Sequence, residues 1–375
     1  MDHRQKLLFI LRDLGFGGAE RQIIELCQGL DKNQFQITVI LFFYENGYLS
    51  ELKDTGVEVI VLATKASYKW AALPKLLRIL KTRKFACIQT MLPIGNFLGG
   101  LAVRMSGQGP VIGSLRNANP FSWLDIFCLL DIIALNLFSD VVVANSASGQ
   151  RMGIKNYRLP QSKIKVIRNG RNFNQGSVEV NHESFKQELG IPEGQVVIAA
   201  IGRITRQKGY PYLLEAVRIL VKERKQAVCL LIVGKAEDGM KVVEQKIKMD
   251  QLESSVLLLG VRQDIPKILA VADVFVLASL WEGIANVLLE AMVAQVPIVA
   301  SDIEPNREVL EHEKSGLLVT PQNPTAIADA VERIIKDWHL AQELTAYAFQ
   351  VAQQQFSLEQ MVSAYTRLYA ELVVV

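Results

Sequence analysis

The stretch VVIAAIGRITRQKG, residues 196–209, decides how the chain folds. Six apolar, β-rich residues run straight into Gly202, a loop carrying Arg203, Arg206 and Lys208, and then Gly209, which can open a helix. A short apolar run that ends in a glycine loop and gives way to a helical period starts a βαβ unit, and such units build parallel sheets. The rhythm continues downstream, with strands expected over 228–233, 256–259, 274–278, 298–300 and 316–319, then a helical tail over 324–372. It has the same form upstream. Strands are expected over 6–11, 36–42, 57–62, 86–90, 111–114 and 141–144, with helices over 19–30, 71–84 and 122–138. A polar Asn/Gly/Ser/Glu stretch, 169–183, interrupts the series and reads as a linker. The fold class is therefore α/β: two Rossmann-like parallel-sheet domains of similar size, 1–175 and 176–355. Ligands of such sheets bind at the carboxyl ends of the strands, and two facing domains make a cleft.

Composition narrows the function. The chain has 375 residues, 50% hydrophobic and 21% charged, with a net charge of +3. That balance excludes a disordered chain, an acidic tail and a nucleic-acid coat. The total hides an asymmetry: residues 1–170 carry 21 Lys+Arg against 12 Asp+Glu, or +9, and residues 171–375 carry 20 against 26, or −6. The apolar run 121–143 is broken by Asp125, Asp131, Asn136 and Asp140, so no spanning helix is expected. The run 7–11 is too short for a signal peptide. Cys27, Cys87, Cys128 and Cys229 stand singly, without ligand-spaced His, which fits reduced cysteines of a cytoplasmic protein and no metal site.

Three loops at strand ends offer chemistry. Gly15-Phe16-Gly17-Gly18-Ala19-Glu20 joins the first strand to a helix, where bare N–H groups and the helix dipole favour a phosphate or a sugar. Glu20 stands where a dinucleotide fingerprint needs glycine, which disfavours NAD. In 202–209, Arg203 offers a planar fork and Lys208 a compact charge, a pair suited to a diphosphate. The third loop runs from Glu282 to Met292. Gly283 keeps Glu282 in the loop, the helix is expected to begin just after it, and N–H groups of Ile284, Ala285, Asn286 and Val287 would face an anion. Glu290, one to two turns on, would reach a vicinal diol such as a ribose.

Together these residues resemble the retaining glycosyltransferases of family 4, also called group 1. The match runs through Gly17-Gly18-Ala19-Glu20, Asn169-Gly170, Gly202-Arg203 with Lys208-Gly209, Glu282-Gly283 with Asn286 and Glu290-Ala291-Met292, the run 297–302, Glu308, the run 316–319 and Phe356-Ser357. The resemblance implies a GT-B fold, with domains facing across a cleft and a last helix, 356–375, packing back on the first. It implies catalytic roles for Arg203, Lys208 and Glu282, and donor contacts from Gly17, Gly18, Gly202, Gly283, Ile284, Ala285, Asn286, Val287 and Glu290. Arg203 and Lys208 would carry the diphosphate, Glu290 the ribose, and Glu282 would lie near the transferred sugar. No cofactor and no metal are expected, in keeping with the lack of a D-x-D. Many members place a His where this chain has Ser114-Leu115-Arg116-Asn117, and all four histidines lie outside the motifs, so Glu20, Arg116 and Asn117 are the acceptor-side candidates. Ala285 and Glu304-Pro305-Asn306 also depart from the common pattern.

The expected reaction moves a sugar from a nucleotide-diphosphate sugar, UDP-linked, to a saccharide or lipid-linked saccharide. A nucleotide-sugar epimerase and a non-catalytic nucleotide-sugar-binding subunit are the alternatives. Starting at Ala71 and ending on Arg83-Lys84, the helix over 71–84 sets Leu73, Leu76, Leu77 and Leu80 on one side and cations elsewhere, a pattern that can lie on an anionic membrane. The expected setting is cytoplasmic, at the inner face of the cytoplasmic membrane.

Overall fold

The computed structural model describes residues 3–45, 47–63, 69–116, 126–173 and 180–373. Asn117, and the apolar residues Phe121 and Trp123, lie outside them. The chain divides into two compact units, Met1–Asn172 with Ser357–Val375, and Phe173–Phe356.

In the first unit seven parallel strands are ordered β3-β2-β1-β4-β5-β6-β7. They are β1 Gln5–Leu11, β2 Phe35–Phe43, β3 Glu58–Ala63, β4 Cys87–Met91, β5 Val111–Leu115, β6 Val141–Ala144 and β7 Ile164–Val166. The helices between them are α1 Gly18–Gly29, α2 Leu49–Asp54, α3 Lys69–Thr82, α4 Leu92–Ile94, α5 Gly100–Met105, α6 Ile126–Ile133 and α7 Ala147–Asn156. Two π-turns, Gly95–Gly99 and Ala134–Phe138, join α4 to α5 and extend α6. Side chains alternate across a strand, so β1 feeds two cores. Leu7, Phe9 and Leu11 pack with Ile23 and Cys27 of α1; Leu8 and Ile10 pack with Ala72, Leu76 and Leu80 of α3 and Ala102 of α5. The apolar side of α3 is thus core, with Leu73 and Leu77 packed against it. α3 therefore offers solvent its cations, while its leucines serve the core.

The second unit has six parallel strands in the order β10-β9-β8-β11-β12-β13. These are β8 Val196–Ile201, β9 Val228–Val233, β10 Val256–Gly260, β11 Val274–Leu277, β12 Ile298–Ser301 and β13 Leu317–Val319. Its helices are α8 His182–Glu188, α9 Tyr210–Arg218, α10 Met240–Met249, α11 Ile265–Ala270, α12 Asn286–Val293, α13 Glu304–Arg307, α14 Pro324–Lys336 and α15 Trp338–Gln355. Here too alternate residues divide: Ile198 and Ala200 face one core, Val197 and Ala199 the other.

The expected helical tail is three helices. Asp337 ends α14 and caps α15, its carboxylate accepting from Leu340 N at 3.0 Å. Phe356-Ser357 then breaks the chain before α16, Leu358–Val373. This last helix belongs to the first unit. Leu358 N donates to Arg171 O at 2.8 Å, Met361, Tyr365 and Tyr369 enter the core beside α1, and Tyr369 OH donates to Gln89 Oε1 at 2.9 Å. A Cβ on Gly170 would lie 2.7 Å from Ser357 O, so the tail crosses where only glycine fits.

Candidate functional site

In an open parallel sheet the ligand crevice opens where strand order reverses, because adjacent loops there leave in opposite directions. In the second unit that point lies between β8 and β11. The loops after these two strands are the basic stretch 202–209 and the segment leading to Glu282. Sequence reading placed both at strand ends; the topology makes them neighbours.

Backbone geometry brings them together. Gly202 has φ +153°, and a Cβ there would lie 2.9 Å from Lys208 Cε. Gly209 has φ +64° and caps α9; a Cβ on it would stand 2.0 Å from Ala278 O, so only glycine lets the basic loop touch the end of β11. Leu280 N donates to Gln207 O at 2.8 Å, stitching the loops.

On this frame Lys208 Nζ lies 2.5 Å from Glu282 Oε1, with side chains 13% and 8% exposed. The same carboxylate accepts from Ser279 Oγ at 2.7 Å and from Gln207 Nε2 at 3.2 Å. Gln207 Nε2 also donates to Trp281 O at 2.9 Å. A buried carboxylate with three donors is held rigidly, and its lysine with it. Sequence reading gave Lys208 and Glu282 separate duties and missed Gln207 and Ser279, although both lie within or beside the motifs. Burial, with Glu282 nearby, holds the Tyr210 phenol well above its ordinary pKa; its hydroxyl donates to Gly202 O at 2.8 Å.

Arg203 is the more exposed cation, its side chain 53% exposed and 3.2 Å from Glu237 Oε2, a partner the sequence did not suggest. The helix after Glu282 starts later than expected: Ala285 is the N-cap and Asn286 the first helical residue, so Gly283 and Ile284 belong to the loop. Ile284, Ala285 and Asn286 have buried side chains. Val287 and Glu290 are half-buried on α12. Asp302, just after β12, lines a groove with Glu308 and His312, and its carboxylate, accepting from Arg307, is held below its ordinary pKa.

In the first unit Gly17 is the N-cap of α1 and Gly18 its first residue. A Cβ on Gly17 would meet Glu20 Oε2 at 2.2 Å: the third residue of the helix folds its carboxylate back on the helix start, the place an anion favours. Arg12 stands in the same group. Burial opposes its charge, but Asp13, Glu45 and Glu20 outweigh that and raise its pKa. Arg116, expected at the acceptor, is 9% exposed; Nη1 donates to Asn169 Oδ1 at 2.7 Å and Nη2 to Tyr365 OH at 2.9 Å. Its Nε has no partner among the described residues. It ties β5 to the linker and to α16.

Comparison with known proteins gives these features a family. The description "Glycosyl transferases group 1" matches residues 181–351, and "Glycosyltransferase Family 4" matches residues 16–175. The chain is 26% identical over 341 residues, 85% of each chain, to UDP-Gal:alpha-D-GlcNAc-diphosphoundecaprenol alpha-1,3-galactosyltransferase of Escherichia coli. It is 29% identical over 189 residues, 50% of this chain and 49% of the relative, to N-acetyl-alpha-D-glucosaminyl L-malate synthase of Bacillus anthracis. Among solved structures it is similar to Anabaena HepE in complex with UDP-glucose, with a TM-score of 0.88 at 23% identity over 98% of this chain and 100% of that one. Sucrose-phosphate synthase from Thermosynechococcus elongatus gives 0.82 at 18%, over 99% and 100%. At such identities the solved structures speak to the fold, which is GT-B. The chain belongs to the group 1, or family 4, glycosyltransferases.

Proposed function

We propose that this glycosyltransferase moves a sugar, with retention of configuration and without a metal, from a UDP-linked donor to a saccharide or lipid-linked saccharide acceptor in polysaccharide or glycoconjugate biosynthesis. The observation that carries the reading is the Lys208–Glu282 pair, 2.5 Å apart and buried at the switch point of the second unit. Cleavage of a sugar–phosphate bond builds negative charge on the departing diphosphate and positive charge on the sugar. A lysine joined to a carboxylate offers a group of each sign. Lys208 and Arg203 stabilise the diphosphate, work a divalent ion does elsewhere, and one such donor is worth about 10²–10³ in rate. Glu282 lies by the transferred sugar, the first N–H groups of α12 face the phosphates, and Glu290 takes the ribose hydroxyls. In the first unit Gly17 and Gly18 serve the donor, Glu20 and Arg116 the acceptor.

The Escherichia coli relative is named for transfer from UDP-Gal to a diphosphoundecaprenol-linked sugar, and HepE was solved with UDP-glucose. Both support a UDP donor, and the first supports a lipid-linked acceptor and work in the cytoplasm, at the inner face of the cytoplasmic membrane. The test measures nucleoside diphosphate release from a panel of nucleotide sugars, with and without EDTA and crude membrane lipid. UDP release that lipid stimulates and EDTA leaves unchanged is expected. Release abolished by EDTA overturns metal independence, and no release from any UDP-sugar overturns the donor.

A further inference from the structure

Among the cations of the first unit, Arg116 breaks a rule that buried charges keep. A charged side chain leaves water at little cost only when an opposite charge meets it. Arg116 is 9% exposed, and no carboxylate among the described residues forms an ion pair with it. Its hydrogen-bond partners are neutral: Asn169 Oδ1 at 2.7 Å and Tyr365 OH at 2.9 Å. A guanidinium has five N–H groups and no acceptor. The Nε of Arg116 is buried without a partner among the described residues.

Its neighbours offer no counter-charge. Beyond Asn169, the Gly170 backbone pairs with the Gln22 side chain, and Arg171 reaches Glu25 at 2.9 Å. Glu25 is buried, and the same oxygen also takes Arg21 at 3.1 Å. Arg21 in turn reaches Glu51 at 2.6 Å. Of these three arginines, with two carboxylates between them, Arg116 is the one left over. The Tyr369 phenol, which feels the Arg116 charge, is held well above its ordinary pKa by burial, so it supplies none.

Place and chemistry together narrow what completes the group. Arg116 directly follows β5, at the carboxyl end of the first sheet, where ligands of parallel sheets bind. A tie between β5, the linker and α16 needs only hydrogen bonds, which a neutral side chain also makes. The unspent charge and the orphaned N–H call for an oxyanion. A carboxylate or phosphate accepts from the planar fork and neutralises it, whereas a sugar hydroxyl would leave the charge unmet. The donor diphosphate falls to Lys208 and Arg203 of the second unit in the reading above, which leaves Arg116 to the acceptor.

We propose that Arg116 reads a negatively charged group, a phosphate or a carboxylate, on the acceptor. This rests on the transfer reading above and adds the acceptor's charge; its test reads binding, so UDP release stands even where it fails. The full chain, saturated with UDP to fill the donor's place, is titrated by calorimetry with a hexose 1-phosphate, a hexuronic acid and a neutral methyl hexoside. A second series omits UDP. The variants are Arg116→Met, Arg116→Lys and Asn169→Asp, with circular dichroism melts to report their folding. Wild type should bind one of the anions at least about tenfold more tightly than the neutral sugar. Arg116→Met should bind all three alike, and Arg116→Lys should recover part of the preference. Asn169→Asp puts a carboxylate where Oδ1 lies 2.7 Å from Nη1. It should melt no lower than wild type yet lose the preference, an outcome a merely structural arginine would not give. The proposal is overturned if wild type prefers no anion, or if well-folded Asn169→Asp or Arg116→Met keeps the preference. It is overturned too if the anions bind only without UDP, since the site would then be the donor's.

Discussion

Replacing Lys208 with Met tests both stability and chemistry. The ammonium and the Glu282 carboxylate are 13% and 8% exposed and 2.5 Å apart, so removing one leaves the other buried and uncompensated, at a cost of about 3–5 kcal/mol. Ser279 and Gln207 still hold the carboxylate, which places Lys208→Met at the low end, about 3 kcal/mol. For a unit of this size each kcal/mol shifts the midpoint by about 2–4 °C, so its melt should fall by roughly 6–12 °C. Glu282→Gln should cost a similar amount. The double variant removes both charges, so its loss should be smaller than the sum by about 2 kcal/mol. Urea denaturation of the four proteins measures that coupling, and UDP release measures the rate, expected to drop 10²–10³-fold for Lys208→Met. Losses that add to within about 0.5 kcal/mol would show that the two charges do not act as a pair. Turnover within twofold of wild type would remove Lys208 from the diphosphate.

Arg203→Ala separates chemistry from stability. Its side chain is half exposed and makes one surface ion pair, so stability should change by less than about 1 kcal/mol while UDP release falls about 10²–10³-fold; an unchanged rate refutes the role. Asp131 predicts a pH dependence. Burial raises its pKa from 3.8 to about 7, against the opposing hydrogen bond from Asn96, so between these values the folded chain keeps a proton that the unfolded chain releases. Its cost to stability is absent below pH 4, grows by at most about 1.4 kcal/mol per pH unit, and is complete above pH 7. Asp131→Asn should therefore gain stability relative to wild type between pH 5 and pH 8 in urea titrations, and a constant difference between the two proteins would refute it.

Much of the fold was legible because buried parallel strands leave dense apolar runs between glycine and polar loops. Twelve of the thirteen described strands were expected within a residue or so at each end. The thirteenth, β7, has three residues and pairs only with β6, too little for a pattern. The helix boundaries were less legible. The start of α12 depends on how residues 283–285 pack, and the division of the tail depends on Asp337 capping a new helix and on Phe356 packing into the core. In the site, Gly202, Lys208, Gly209 and Glu282 were visible as motifs because each needs a particular residue beside a strand end.

The sequence by itself determined two parallel-sheet units, the family resemblance and the residues to watch, since these are local matters of period, glycine placement and spacing. Tertiary structure alone decided who meets whom. Lys208 and Glu282 are far apart along the chain and become partners because strand order reverses between β8 and β11. The leucines of α3, a helix that also carries cations, are core, while α6, richer in apolar residues, leaves Ile126 and Ile133 exposed. No period distinguishes those two helices. What a helix buries depends on what the sheet and its neighbours leave room for, and that is settled only when distant segments pack.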